Sequence, residues 1–404
     1  TRYDGKGRVA VKLIRNLLDK VAPTFKEGGS LERLYPIFEA TDTILFSTDE
    51  RTKSGPHIRD SIDIKRVMIL VVLSLIPCYI FGAINIGYQK SLTFGLTTTW
   101  SENLFTGLVT IIPIIAVTFA SGAFWELLFG VVRKHPISEG FLVTCALIPL
   151  TLPPSIPLWQ VAVATSFGIV IGKEIFGGVG MNIFNPALMA RAFLYFTYPI
   201  DISGDKVWAL APDGYSGPTA LSIPAGKTNA DAIELLNKAS SDLVFDYSWM
   251  NMFMGWIPGS IGETNKWLVL IGAIFLVTIG ITSWRVMVGS VLGLLSMAYI
   301  TNILAPYSTN AMLTIPPHYH LVMGSFLFGT VFMATEPVTG SHTNTGRWIF
   351  GFLVGALTVI IRSINPAYPE GIMLAILLMN AFAPLIDYYV VQSNIKKRMV
   401  RYAQ

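Results

Sequence analysis

Apolar windows recur along this chain at 66–88, 105–132, 138–151, 158–172, 183–198, 267–282, 286–304, 321–334, 348–361 and 371–391. Several run to about twenty residues, the length of helix that crosses a hydrocarbon core. Backbone N–H and C=O groups find no water there, so each window must close its hydrogen bonds within itself as a helix. The expected fold is an all-α polytopic membrane protein of about ten transmembrane helices. Only 13% of the 404 residues are charged, against roughly 25% in soluble domains. The basic balance, with a pI of about 8.9, does not point to nucleic acid, because Lys and Arg stand where a membrane chain needs them for orientation. No removable signal peptide is expected, since the first residues are charged and do not lead into a short apolar stretch. Cys78 and Cys145 lie singly in apolar windows, without the paired spacing of a metal or iron-sulfur site, and read as buried, inert thiols.

The first 66 residues hold 13 Lys and Arg. Arg133-Lys134 follow the second window, Lys173 the fourth and Arg285 the sixth; Arg347 precedes the ninth, and Lys396, Lys397, Arg398 and Arg401 close the chain. With ten crossings all of these share one side, which the positive-inside rule makes the cytoplasm, both termini included. The polar interval 201–266 carries only four basic residues and so faces the periplasm or cell exterior. Lys90 and Arg362 break the pattern on that outer side, where a helix end or a partner is the only account the sequence offers. The expected divisions are an arm at 1–65, helices at 66–200, an outer loop at 201–266, helices at 267–391 and a tail at 392–404. In the arm, Val9, Val11, Leu13, Ile14, Leu17, Leu18 and Val21 recur at helical spacing between basic residues, as in an amphipathic helix on a lipid surface or a partner. It reads as a docking arm, with a lid over a lipophilic substrate as the sharper alternative.

Asn185-Pro186-Ala187 opens the fifth window and Asn365-Pro366-Ala367 the tenth, each preceded by a Pro-containing break, at Pro153-Pro154 and at Pro337. Two halves of five spans must sit with opposite topology, so an inverted repeat is expected, with its interrupted segments lining a central site. A coincidental pair of Asn-Pro turns is the plainer alternative. Ionisable residues within apolar windows mark functional positions by default. Glu126, Glu336 and Asp387 qualify, and Glu139 and Glu174 lie at cytoplasmic window ends. Carboxylates beside the free carbonyls of broken helices suit a hard monovalent cation, yet the same groups cap helices. Asn182 and Asn185, beside Gly177, Gly178 and Gly180, need partners that each other or the broken helix can supply. No strand precedes these glycines, so a nucleotide fold is not indicated. His318-Tyr319-His320 lacks a third metal ligand and reads as interfacial, with Trp249, Trp256 and Trp267. The stretch Asp213-Gly214-Tyr215-Ser216-Gly217-Pro218-Thr219-Ala220 is, by composition, turn chemistry exposed to water.

That stretch also resembles a modification signal. Asp-x-x-Ser-Gly-Ala-Thr is the pattern at which FMN is attached through its phosphate to threonine in the B-type membrane subunits of sodium-translocating NADH:quinone oxidoreductases. Asp213, Ser216, Gly217 and Thr219 match, and Pro218 replaces the usual Ala, fixing φ and removing an N–H. The resemblance runs from about residue 25 to the C-terminus. It is carried by Arg59-Asp60-Ser61-Ile62-Asp63-Ile64-Lys65-Arg66, Phe124-Trp125-Glu126, Ser138-Glu139-Gly140-Phe141, Lys173-Glu174-Ile175-Phe176-Gly177-Gly178 and Ile257-Pro258-Gly259-Ser260-Ile261-Gly262-Glu263. Asn365-Pro366-Ala367-Tyr368-Pro369-Glu370-Gly371 completes it.

The resemblance implies a ten-helix bundle of inverted halves, similar to urea transporters, in a bacterial inner membrane. It implies covalent FMN on Thr219, non-covalent riboflavin toward the cytoplasm, and partner subunits that oxidise NADH. Electrons would then reach a quinone while sodium moves outward. It further implies that Asn182, Asn185 and Glu336 contact riboflavin, that Gly122, Ala123, Glu139, Gly140 and Phe141 border the quinone, and that Glu126 and Asp387 handle Na+. Family members usually carry Gly at position 123. Two other readings stay open: a D-type membrane subunit of the RNF complexes, which pass electrons between ferredoxin and NAD, and a urea-transporter-like channel without redox chemistry.

Overall fold

A computed structural model describes residues 64–133, 140–212 and 214–403, with scattered positions between 15 and 55. The expected amphipathic arm helix falls largely outside the described residues, as do Glu139 and Asp213. Among the described residues the chain is made of helices and turns, with one antiparallel bridge between Thr228 and Asn310. Six helices among the described residues are long and apolar enough to cross a membrane. The chain is a polytopic, all-helical membrane protein.

The first group of helices is α1 (Ile64–Thr93), α2 (Trp100–Arg133), α3 (Gly140–Leu150), α4 (Leu158–Val170) and α5 (Pro186–Thr197). The polar interval then contributes α6 (Ala232–Asp242) and α7 (Trp249–Met254). After it come α8 (Lys266–Ile279), α9 (Trp284–Leu304), α10 (Pro317–Val322), α11 (Phe326–Phe332), α12 (Asn344–Ile364) and α13 (Ile372–Ala403). The full-length crossers are α1, α2, α4 with the turn that extends it, α9, α12 and α13. Windows 138–151, 183–198 and 267–282 hold the shorter α3, α5 and α8, and window 321–334 is broken between α10 and α11.

Breaks at this depth persist because protein satisfies them. Beyond α3, the Leu150 and Leu152 carbonyls accept from Gly262 N (2.8 Å) and Ile261 N (3.1 Å), so the segment ahead of α8 closes a gap in the first group. Asn85 on α1 holds the same segment by donating to the Ile257 carbonyl at 3.1 Å. α5 begins on Asn185, whose side-chain oxygen accepts from Ala187 N (3.0 Å) and Leu188 N (3.1 Å), and Pro186 supplies a preset φ with no donor to waste.

Helix α9 lies against α12 at backbone distance. A Cβ at Gly293 would strike the Phe352 carbonyl, one at Gly355 the Ser290 carbonyl, and one at Gly351 the Val286 carbonyl. Lipid tails provide no hydrophobic drive between helices, so such small-residue faces supply the attraction through close contact. Outward, Phe105, Phe124, Ile274 and Tyr299 are exposed and face where lipid would lie. The polar interval is no loose loop: Ala220, Leu221, Leu236, Phe245, Tyr247 and Met252 pack with Met312, Ile315, Val322 and Met323 into a second core.

Candidate functional site

The turn bearing Thr219 rests on that second core. Phe245 and Tyr247 are buried beneath it, with Tyr215 edge-on to Phe245 at 5.9 Å. Gly217 N donates to the Asp205 carbonyl at 2.7 Å, and the Tyr247 hydroxyl donates to the Pro218 carbonyl. After Thr219 the chain turns sharply: its carbonyl accepts from Ser222 N (3.0 Å) and Ser222 Oγ (2.9 Å), and its Oγ1 accepts from Ser222 N (3.3 Å). Ser216 is exposed, Gly217 and Ala220 are buried and Thr219 is half-buried. The result is a half-buried threonine on a turn whose backbone is held from behind by the Tyr247 hydroxyl and the Asp205 carbonyl. Pro218 gives up an N–H and has its carbonyl gripped instead.

At the other end of the bundle a cavity of about 90 Å³, open at its mouth, lies where α1, α3, α5, α8 and the Thr335–Val338 break converge. Its wall includes Gly140, Lys173, Asn182, Asn185 and Glu336 among apolar side chains. The Glu336 carboxylate lies against the side chains of Asn182 and Asn185 and accepts from Thr339 Oγ1 at 2.9 Å. Asn182 also donates to the Phe184 carbonyl at 3.2 Å. The two amides thus serve the broken helix and face the cavity together. Gly177 and Gly178, at φ 120° and 99°, allow the chain to double back between α4 and these amides.

The positions expected around a quinone divide. Gly140 is on the cavity wall; Gly122 on α2 packs against Cys145 Sγ with Phe141 next to it, and Ala123 beside it is half-buried. Cys145, fully buried, holds its thiol toward the Thr118 carbonyl at 3.7 Å.

Among the described residues Glu126 and Asp387 share no partner. Buried Glu126 pairs with buried Lys173, which also reaches Glu174 at 3.4 Å, and Arg133 meets Glu174 at 3.3 Å. Asp387 on α13 accepts from Ser341 Oγ (2.7 Å), His342 N (2.7 Å), Thr343 N (3.0 Å) and Thr343 Oγ1 (2.6 Å), holding the turn that starts α12.

A buried charged group around Arg362 was not assembled from sequence. Arg362 is 0% exposed and donates from Nε to the Glu370 carbonyl (3.0 Å), and from its two terminal nitrogens to the His320 (2.8 Å) and Met323 (3.0 Å) carbonyls. This explains its place against the charge pattern: it satisfies the end of α10, not a membrane surface. His320, expected at the interface, is fully buried because its ring lies against Arg362. The Glu370 carboxylate accepts from Ser325 N (3.0 Å) and Oγ (2.7 Å) at the start of α11. Arg191, Glu263 and Lys266 are buried in the field of the same groups, with Lys266 Nζ donating to the Glu263 carbonyl at 2.7 Å. Lys90, the other exception, sits in the last turn of α1, where a cation complements the helix dipole. The only sequence signal for the charged group was that its members are ionisable and lie at window ends.

Residues 51–396 match the family described as NQR2, RnfD, RnfE. The B-type subunit of the Na(+)-translocating NADH-quinone reductase of Chromohalobacter salexigens is 48% identical over 409 residues, spanning 96% of this chain and 96% of the relative. The protein of that name from Azotobacter vinelandii is 48% identical over 412 residues, 96% of this chain and 99% of the relative. The one from Pseudomonas aeruginosa is 45% identical over 411 residues, with 96% and 99% covered. Similarity of this extent, over a bundle with the expected breaks and polar groups, establishes that the chain belongs to the NQR2, RnfD, RnfE family.

Proposed function

We propose that the chain is the B-type membrane subunit of a Na+-translocating NADH:quinone reductase in a bacterial inner membrane, built as two inverted five-helix halves with cytoplasmic termini. Covalent FMN on Thr219 and non-covalent riboflavin in the cytoplasmic cavity would supply the one- and two-electron chemistry linking NADH-oxidising partners to a quinone. The observation that carries this reading is the pinned Thr219 turn, with Ser216 exposed beside it, in a chain 48% identical to a reductase subunit of that name.

The residues present suit both groups. At Thr219 the Ser222 N–H already points at Oγ1, and exposed Ser216 leaves room on the water side. In the cavity, apolar walls suit the hydrocarbon edge of a flavin. Asn185 would present its remaining N–H to a ring carbonyl oxygen and Glu336 would accept from the ring N–H, while Asn182, whose N–H groups go to the Phe184 carbonyl and Glu336, would border the ring and orient that carboxylate. Gly140 shares that wall, so a quinone bordered by Gly122, Ala123, Glu139, Gly140 and Phe141 would lie next to it. Asp387 is the stronger sodium candidate, because one of its oxygens carries a single bond, while Glu126 would act through Lys173. Coupling requires that the site hold sodium unequally in the two redox states, since equal affinity shifts nothing.

In-gel fluorescence of the denatured chain from its native host tests the reading. Wild type should fluoresce and Thr219→Val should not. A dark wild-type band, or an undiminished variant, rejects the attachment site.

A further inference from the structure

Helices α9, α12 and α13 carry between them one carboxylate, Asp387, which is spent on the turn that starts α12. At that same end stand Arg285, Arg347, Lys396, Lys397, Arg398 and Arg401. A furrow of about 300 Å³ opens between α9 and α12 at Gly289, Leu292, Trp348, Ile349, Phe352 and Leu353. It exists because Gly289 has no side chain: a Cβ there would stand 3.0 Å from the Trp348 carbonyl, while Leu292 and Phe352 stay exposed. A second cavity of about 360 Å³ shares Ile349 and continues between α12 and α13, past Thr345, Ile386, Tyr389, Ser393, Asn394 and Lys397. Its α13 residues recur every three or four positions and so form one stripe. Gly371 lies by the Thr358 carbonyl and Asp387 by Thr343, so α13 runs antiparallel to α12 and the stripe climbs from Ile386 at depth to Lys397. Read outward, the path is an apolar furrow, then hydroxyls, then an amide and an ammonium.

That gradient suits an amphiphile better than a packed helix, whose seam would be small or apolar throughout.

We propose that this face binds one anionic glycerophospholipid from the leaflet that meets the C-terminal end of α13. An acyl chain lies in the Gly289 furrow, the ester region crosses Ile349 beside the Thr345 and Tyr389 hydroxyls, and the phosphate sits at Ser393, Asn394 and Lys397. Basic pockets between membrane helices hold anionic head groups in this way. Neither cavity is lined by a carboxylate, so nothing there would pair with the ammonium of a zwitterionic head group, and Lys397 would repel it. Trp284 and Trp348 meet edge-on at 5.5 Å, with Arg285 over the Trp284 ring at 5.1 Å, and such aromatic pairs mark the level of the head groups. The site stands apart from Thr219 and from the cavity at Glu336.

The test uses the intact complex, stripped of lipid in detergent and titrated with phosphatidylglycerol that carries a diazirine in one acyl chain. The matching phosphatidylethanolamine probe is run beside it, and labelled peptides are mapped after photolysis. Saturable labelling by the phosphatidylglycerol probe is expected within residues 284–293, 345–353 and 386–397. Ser393 and Lys397 are exposed, so changing them leaves the packing intact. Lys397→Gln should raise the half-saturating probe concentration about fivefold, the effect of one Lys beside an anionic head group. Ser393→Glu, which sets a carboxylate where the phosphate would sit, should raise it at least as much. Lys397→Arg keeps the charge and should stay within about twofold. Equal labelling of this face by both probes overturns the proposal, as does half-saturation unchanged in both Lys397→Gln and Ser393→Glu. So does labelling confined to other parts of the complex, which would show that a neighbouring subunit covers the furrow.

Discussion

The Tyr247 hydroxyl donates to the carbonyl of Pro218, the residue immediately before Thr219, across 29 positions of sequence. Burial pushes the Tyr247 phenol well above its ordinary value, so it is a neutral donor at physiological pH. The turn is therefore held by a bond from the core beneath it, not by its own side chains alone.

Tyr247→Phe removes that bond and keeps the packing. The expected loss is about 1 kcal/mol of local stability, seen as roughly fivefold faster hydrogen exchange at residues 219–222. With the folded pKa raised above the unfolded one, the phenol's contribution is complete below about pH 10. It is lost as pH rises beyond that. Protection of the turn should thus be flat from pH 6 to 9 in wild type, and a slope in that window would contradict the assignment.

Arg362→Met strips three carbonyls of their donor and takes a cation out of the field around Glu370. Breaking such a buried set should destabilise by about 3–5 kcal/mol, visible as a fall in the thermal unfolding midpoint of the purified complex. Arg362→Lys should recover little, because one ammonium cannot reach three acceptors in fixed fork geometry. Full recovery by Lys would show that charge alone matters there.

Gly355→Ala places a methyl group against the Ser290 carbonyl across the α9–α12 contact. Overpacking of this kind should cost about 1–3 kcal/mol. Gly95→Ala has open space, but its φ of 64° makes it a strain control, not a packing one. The better control is Gly55→Ala, which meets nothing within 4 Å and should leave the midpoint unchanged.

Asp387→Ala removes four hydrogen bonds at the start of α12 and should cost about 2 kcal/mol. Proteolysis near 341–346 reports that loss. If Asp387 also binds sodium, Asp387→Asn should raise the sodium concentration for half-maximal turnover with flavin content unchanged; an unaltered sodium dependence removes that role.

The sequence made the spans legible wherever one segment closes its own hydrogen bonds, as in α1, α2, α9, α12 and α13. It also marked the interruptions, because Pro153-Pro154 and Pro337 cannot continue a helix. What it did not convey is how interruptions are filled. That Gly262 and Ile261 complete the end of α3 depends on a segment more than a hundred residues away. Lys173 and Arg362 look alike in sequence, basic residues near window ends, yet both are buried. Their partners, Glu126 for one and the His320, Met323 and Glu370 carbonyls for the other, meet them only in three dimensions. Asn182, Asn185 and Glu336 were found because polar groups are rare in such windows, and their convergence on one cavity needed the fold.

With carbonyl oxygens seated directly on glycine carbons, α9 and α12 have no side-chain bearing on which to slide, and they must travel as a single plank.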